Sequence, residues 1–153
     1  MAGRNFLKRS IIKPTGHIIC TLTISGLLYL ILKSSAAFFV SLSAGILIDI
    51  DHILDYYIQQ GITLKVNKIY FWCLENKFRL LILFFHSLEL IFLFWVTILL
   101  FKLGIFWVAF AIGLTQHMVL DILFNNRDIY PRSYFLTFRI IKRFKREELL
   151  RKN

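Results

Sequence analysis

Residues 18–48 read IICTLTISGLLYLILKSSAAFFVSLSAGILI, and Lys33 is the only charged side chain among them. As one helix this stretch would run roughly 46 Å, against a hydrocarbon core of about 30 Å. A hairpin broken near Lys33-Ser34-Ser35 therefore describes it better than a single span. Two further apolar blocks follow. Leu80–Phe101 holds His86 and Glu89, and Leu103–Phe124 holds His117 and Asp121. Lys102-Leu103-Gly104 separates them as a second tight turn.

The composition agrees with this pattern. The chain has 153 residues, 58% of them hydrophobic, yet a formal net charge of +10. A soluble domain this short leaves too much surface in water to bury so large an apolar share. That excludes an ordinary soluble domain, a disordered chain and a collagen-like one. Cys20 and Cys73 stand alone and suggest neither a metal ribbon nor a disulfide framework. The expected fold is all-α: a polytopic membrane helical bundle of about four apolar helices plus a basic amphipathic C-terminal helix. It forms one domain over 1–153, with a basic N-terminal arm (1–16), a helical bundle (17–124) and a basic interfacial tail (125–153).

The basic residues set the orientation. Arg4, Lys8, Arg9 and Lys13 lie in the arm, and Lys65, Lys68, Lys77 and Arg79 in the middle segment. Nine more lie between Arg127 and Lys152, and only Lys33 and Lys102 occupy the two turns. Both termini and the middle segment are thus expected in the cytoplasm. A signal peptide is the alternative, with Arg4–Lys13 as its basic region and cleavage near Ser34-Ser35-Ala36. Between Gln59 and Asn76, mixed aromatic and basic residues suit a short interfacial helix. From Phe135 to Leu150, Leu136, Ile140, Ile141 and Phe144 alternate with Arg139, Lys142, Arg143, Lys145 and Arg146, a pattern suited to anionic lipid. Nucleic acid is not an expected partner, because the basic residues sort by membrane side and not onto one recognition helix.

Ionisable groups inside apolar sequence are costly, and they point to function. Here they fall at similar depth. His17 is roughly 6 Å in from Lys13, His86 roughly 10 Å in from Arg79, and Asp121 and His117 roughly 9 and 15 Å in from Arg127. His117 and Asp121 stand at i and i+4, on one helical face. Asp49-Ile50-Asp51-His52-Ile53-Leu54-Asp55 gathers three carboxylates and an imidazole, with Asp51 and Asp55 on one face if helical. Unpaired, such carboxylates repel one another and bear a large desolvation cost, which a cation relieves. Mixed His and Asp ligands suit zinc first, with manganese, iron or magnesium as alternatives. His52, Ser87 and Glu89 are expected to orient ligands, or simply to bond to their neighbours.

The ordered set resembles the bacterial inner-membrane metal-dependent hydrolases of the YdjM type. That family shows an early His, a P-D-x-D-H block, a T-H-S block, then G-x-x-x-H-x-x-x-D and an aromatic-Pro element. Here these correspond to His17, Ile48-Asp49-Ile50-Asp51-His52, His86-Ser87-Leu88, Gly113 through His117 to Asp121, and Tyr130-Pro131. Ile48 replaces the proline of the second block, and Phe84-Phe85 replaces the family's H-R-G run. Through its similarity to zinc-dependent phospholipases C, the resemblance implies an ion held by Asp51 (or Asp49), His86, His117 and Asp121, with His17 helping to hold a further one.

The expected activity is metal-dependent hydrolysis, on a phosphoester or lipid-linked substrate at the cytoplasmic face. Asp49 or Asp55, whichever is not a ligand, is the expected general base. Arg127 and Arg132 are expected to hold an anionic group. The alternative is a non-enzymatic membrane protein, either a metal or proton carrier or a scaffold.

Overall fold

The structure, a computed structural model, describes residues 14–75, 77–125 and 129–151. The basic residues Arg4, Lys8, Arg9, Lys13, Arg127 and Lys152 lie outside the described residues. Within them the chain is all-helical, without a β-strand. Helix α1 spans Pro14–Leu32, α2 Ser35–Leu47, α3 Ile50–Gln60, α4 Val66–Leu74, α5 Leu88–Leu100 and α6 Ile105–Asn125. A 3-10 turn at Pro131–Tyr134, α7 at Leu136–Ile141 and α8 at Arg146–Leu149 complete the order.

Both turns fall where the charges interrupt the apolar runs. Lys33 and Lys102 take left-handed φ of 50° and 49° and end α1 and α5. Ser34 then caps α2, accepting the Ala37 N–H at 3.2 Å, which satisfies one of the amides a helix start leaves free. Two helical stretches, Ser35–Gln60 and Ile105–Asn125, are long and apolar enough to cross a membrane. α1 and α5 are apolar as well.

The bundle is built around α2 and α6, with α1 against both and α5 against α6. α2 and α6 approach closely at Gly113, where an added Cβ would run into the Ser41 carbonyl oxygen. Small residues let helix backbones approach this closely. Inside the bundle lie Thr21, Ser25, Ser41, Gln116, His117 and Asp121, while Ile19, Ile31, Phe39, Phe92 and Leu99 face outward. Apolar Ala37, Ala44, Ile98, Ala109 and Met118 are buried with them, so the interior mixes polar and apolar side chains while large apolar ones cover much of the outside.

Two expectations are corrected. The apolar block Leu80–Phe101 is not one helix, because α5 begins only at Leu88 and Leu80–Ser87 is irregular. The reason lies on α3, where Asp51, Asp55 and Gln59 recur every four residues on one face. Gln59 accepts the Arg79 and Leu80 amides and donates to the Leu80 carbonyl. Asp55 accepts the Ile82 and Leu83 amides, and Asp51 those of Phe85 and His86. These side chains take the place of a helical ladder. Four residues of helix advance about 6 Å, whereas three extended residues advance about 10 Å. The facing chain must therefore coil, and Leu83 does so with φ +42°.

The second correction concerns the tail, which is not one amphipathic helix. Arg143 and Phe144 take left-handed φ of 52° and 56° and part α7 from α8. Phe144 and Arg146 instead bond to Leu81 and Arg79. Leu149 enters a small core with Tyr56, Ile69, Phe78 and Leu81, and Arg139 is buried. The interfacial helix expected within Gln59–Asn76 corresponds to α4, with Tyr70 and Phe71 exposed.

Candidate metal centre

Five ligand-type side chains from separate elements meet at one end of the bundle. His17 comes from α1, Asp49 from the two-residue joint between α2 and α3, and His86 from the irregular segment. His117 and Asp121 share a face of α6. His117 Nε2 lies 3.4 Å from Asp49 Oδ1 and 3.7 Å from Asp121 Oδ2. His86 Nε2 lies 3.6 Å and 3.7 Å from the same two atoms. Metal bonds of about 2.0–2.2 Å place tetrahedral ligands about 3.3–3.6 Å apart. The four His–Asp distances are thus close to the spacing of neighbouring ligands on one ion.

The protonation pattern also fits a cation. His117 Nδ1 lies 2.7 Å from the Gly45 carbonyl oxygen. A carbonyl only accepts, so Nδ1 carries a hydrogen, and a neutral ring in this tautomer presents its Nε2 lone pair to the cluster. His86 Nδ1 faces Asp51 Oδ2 at 3.1 Å, which selects the same tautomer, and its buried Nε2 has no hydrogen-bond partner. Among the described residues, no Lys or Arg forms an ion pair with Asp49 or Asp121. A divalent ion would satisfy the orphaned nitrogen and the two carboxylates, whose only ion-pair partners among the described residues are imidazoles. The donor set suits zinc, manganese or iron without selecting one.

His17 stands at the edge of this shell. Its ring stacks on His117 with centroids 4.5 Å apart, and its Nε2 lies 3.5 Å from the other Asp121 oxygen, Oδ1. His17, His117 and Asp121 form one possible ligand group, and Asp49, His86 and His117 a second. Because Gly45 occupies Nδ1 of His117, a single ion takes that residue. The site opens beside Asp49, whose side chain is 48% exposed, while those of His86 and His117 are 3% and 1% exposed.

The two aspartates of the first block hold different places. Asp49 faces the imidazoles, whereas Asp51 stands behind His86 and holds its ring and amide. Residues two apart on a helical path point to roughly opposite sides, about 200° apart, so Asp51 turns toward the irregular segment while Asp49 faces the imidazoles. Asp55 is committed to backbone amides in the same way. His52 lies at the open side, with Nε2 4.0 Å from Asp49 Oδ1 and its ring 5.3 Å from that of His86.

Ser87 caps α5 and donates to Glu89 at 2.8 Å. Glu89 also accepts the Leu136 and Thr137 amides and the Thr137 hydroxyl, so it ties the tail down and takes no place in the cluster. The Arg132 guanidinium lies over the Tyr130 and Phe138 rings, 4.7 and 5.1 Å from their centroids. It makes no ion pair with the cluster, and Arg127 lies outside the described residues.

Three contributors carried no functional reading in the sequence. Gly45 supplies its carbonyl. Tyr134 donates to the Asp121 carbonyl at 3.0 Å. Burial, and after it the Asp121 carboxylate, pushes the Tyr134 phenol above its usual range, so it stays a neutral donor. Gln59 was detectable as the third polar residue on the Asp51–Asp55 face. No family model, curated protein or solved structure matches the chain.

Proposed function

We propose that this chain is a membrane-embedded, metal-dependent hydrolase of the kind its motif order resembles. It would act on a phosphoester carried by a small molecule or a lipid at the cytoplasmic face. One observation carries this: His86 and His117 each bring an imidazole nitrogen within 3.4–3.7 Å of a carboxylate oxygen of Asp49 and of Asp121, and the His86 nitrogen has no hydrogen-bond partner. A divalent ion there would supply a water acidified toward pH 7 and a polarised electrophile.

The protein's own residues account for the remaining roles. Asp51 and Gly45 orient the two imidazoles. His52, on the open side, is placed to accept a proton, a role that Asp49 in the shell and Asp55 on backbone amides are less free to fill. Arg132, braced by two aromatic rings, suits an anionic headgroup.

The membrane setting rests on the large apolar side chains that cover much of the outside of the bundle. In it α1, α2, α5 and α6 are four spans, with both termini cytoplasmic. α5 alone is about 20 Å long, short of a core of about 30 Å. The irregular Leu80–Ser87 segment makes up the difference. Non-helical backbone is tolerated at such depth when protein groups satisfy it, as Gln59, Asp55 and Asp51 do here.

A carrier function is the second reading, favoured by the buried line of Thr21, Ser25, Ser41 and Gln116 that leads away from the cluster. Ser25 Oγ, Ser41 Oγ and Gln116 Oε1 have no partner. That line stops about 10 Å short of the end of α1, so it ranks behind hydrolysis.

Metal analysis of the gently purified protein is the test. About one tightly held divalent ion per chain is expected, with loss in His117→Ala/Asp121→Ala. A metal-free wild type overturns the proposal. Metal uptake into proteoliposomes, without cleavage of lipid-linked phosphoesters, favours the carrier.

A further inference from the structure

One buried charge has no part in the cluster. Arg139, on α7, is 2% exposed. Its two terminal nitrogens donate to the Leu83 carbonyl at 2.7 Å and the His86 carbonyl at 2.9 Å. Its Nε has no partner, and it makes no ion pair among the described residues. Burying a guanidinium against main-chain carbonyls alone is costly. Both carbonyls, however, belong to the same short turn, Leu83–His86, and that turn carries His86.

The opposite side of the turn is held from α3. Asp51 Oδ2 accepts the Phe85 amide at 2.5 Å, the His86 amide at 3.0 Å and faces His86 Nδ1. Asp51 therefore grips the donors of this turn and Arg139 its acceptors. The turn needs such a grip, since Leu83 sits in the left-handed region, which leucine leaves unless its surroundings hold it there. Arg139 is itself anchored at both ends of α7. Glu89 holds the Leu136 and Thr137 amides before it, and Phe144 and Arg146 pair with Leu81 and Arg79 after it.

We propose that Arg139 is a positioning residue for the metal ligand His86, and that the C-terminal tail is thereby a working part of the metal centre. This rests on the metal-site assignment made above. Arg139 does not touch the ion. It fixes the carbonyls on either side of Phe84-Phe85, so that the His86 ring can point only at Asp49 and Asp121.

The test uses the full chain in detergent, with Co²⁺ as the probe and its visible absorption as a reading of ligand geometry. Arg139→Lys keeps the charge but loses the fork that spans both carbonyls. It is expected to bind Co²⁺ about 10- to 100-fold more weakly than wild type, with an altered spectrum and the apo unfolding midpoint little moved. In a His86→Ala background the same substitution should cost less than about threefold, because the ligand through which it acts is gone. Additive losses in the double mutant, or unchanged affinity in Arg139→Lys, overturn the proposal while leaving the metal site standing. Arg139→Gln, with one amide donor group, serves if the Lys variant does not fold.

A measurement on unmodified protein completes the set. Coupling between ion and tail is reciprocal, so Co²⁺ should slow amide exchange in α7 as well as in residues 83–87. Slowing confined to the ligand residues overturns the proposal. A wild type that binds no Co²⁺ overturns the metal site and the positioning role together.

Discussion

Asp49 and Asp51 show how far two residues of one motif can part in function. Both are acidic and lie beside one another in an apolar context, yet only Asp49 faces the imidazole nitrogens that would hold an ion. Replacing Asp49 with Ala should abolish stoichiometric binding of Co²⁺ or Zn²⁺. Asp51→Asn should keep the stoichiometry and weaken affinity by about 10- to 100-fold, as loss of a ligand's hydrogen-bond partner does. Equilibrium dialysis of the two variants distinguishes these outcomes. Two glycines give a second contrast at this scale. Gly113→Ala drives a methyl group into the Ser41 carbonyl, and should lower stability by about 1–3 kcal/mol. Gly26→Ala meets nothing within 4 Å and should be neutral, or stabilising by up to about 1 kcal/mol. Thermal unfolding in one detergent measures both.

At the scale of elements, the breaks were legible and the irregular segment was not. A lysine inside an apolar run marks a turn whatever surrounds it, so Lys33-Ser34-Ser35 and Lys102-Leu103-Gly104 fall where the sequence puts them. An apolar run such as Leu80–Ser87 carries no such mark, since periodicity alone does not tell a buried helix from other buried chain. Its shape depends on hydrogen bonds from α3. Gln59→Leu should therefore leave the helices intact while freeing the Arg79 and Leu80 amides. Their exchange should quicken by about two- to tenfold, given about 0.5–1.5 kcal/mol net for a hydrogen bond at such partly exposed sites. Unchanged exchange there would show that the segment holds itself. Arg139 was equally hidden, because nothing in its local sequence separates it from the other basic residues of the tail.

For the whole molecule, the candidate metal centre joins parts of the chain that are far apart in sequence: α1, the α2–α3 joint, the irregular segment and α6. Removing the ion with a chelator should therefore lower the unfolding midpoint of the entire protein. The loss should be about 2.7 kcal/mol when the free ion stood at 100 times its Kd. A midpoint indifferent to chelation would mean that the five side chains hold together without a cation. Topology is tested at the same scale. Reporters fused after Asn153 should read as cytoplasmic, and reporters in the turns at Lys33 and Lys102 should read as external.

The sequence alone determined the helical class, the two hairpin turns and the neighbourhood of the site. These follow from local rules: how many apolar residues run without a charge, and which residues share a helix face at i and i+4. Tertiary structure decided which aspartate meets the imidazoles, that eight residues, six of them apolar, stay out of the helix, and that an arginine of the basic tail is buried. Each of these depends on the partner a polar group finds across the fold, and a partner 20 to 70 residues away leaves no period in the local sequence.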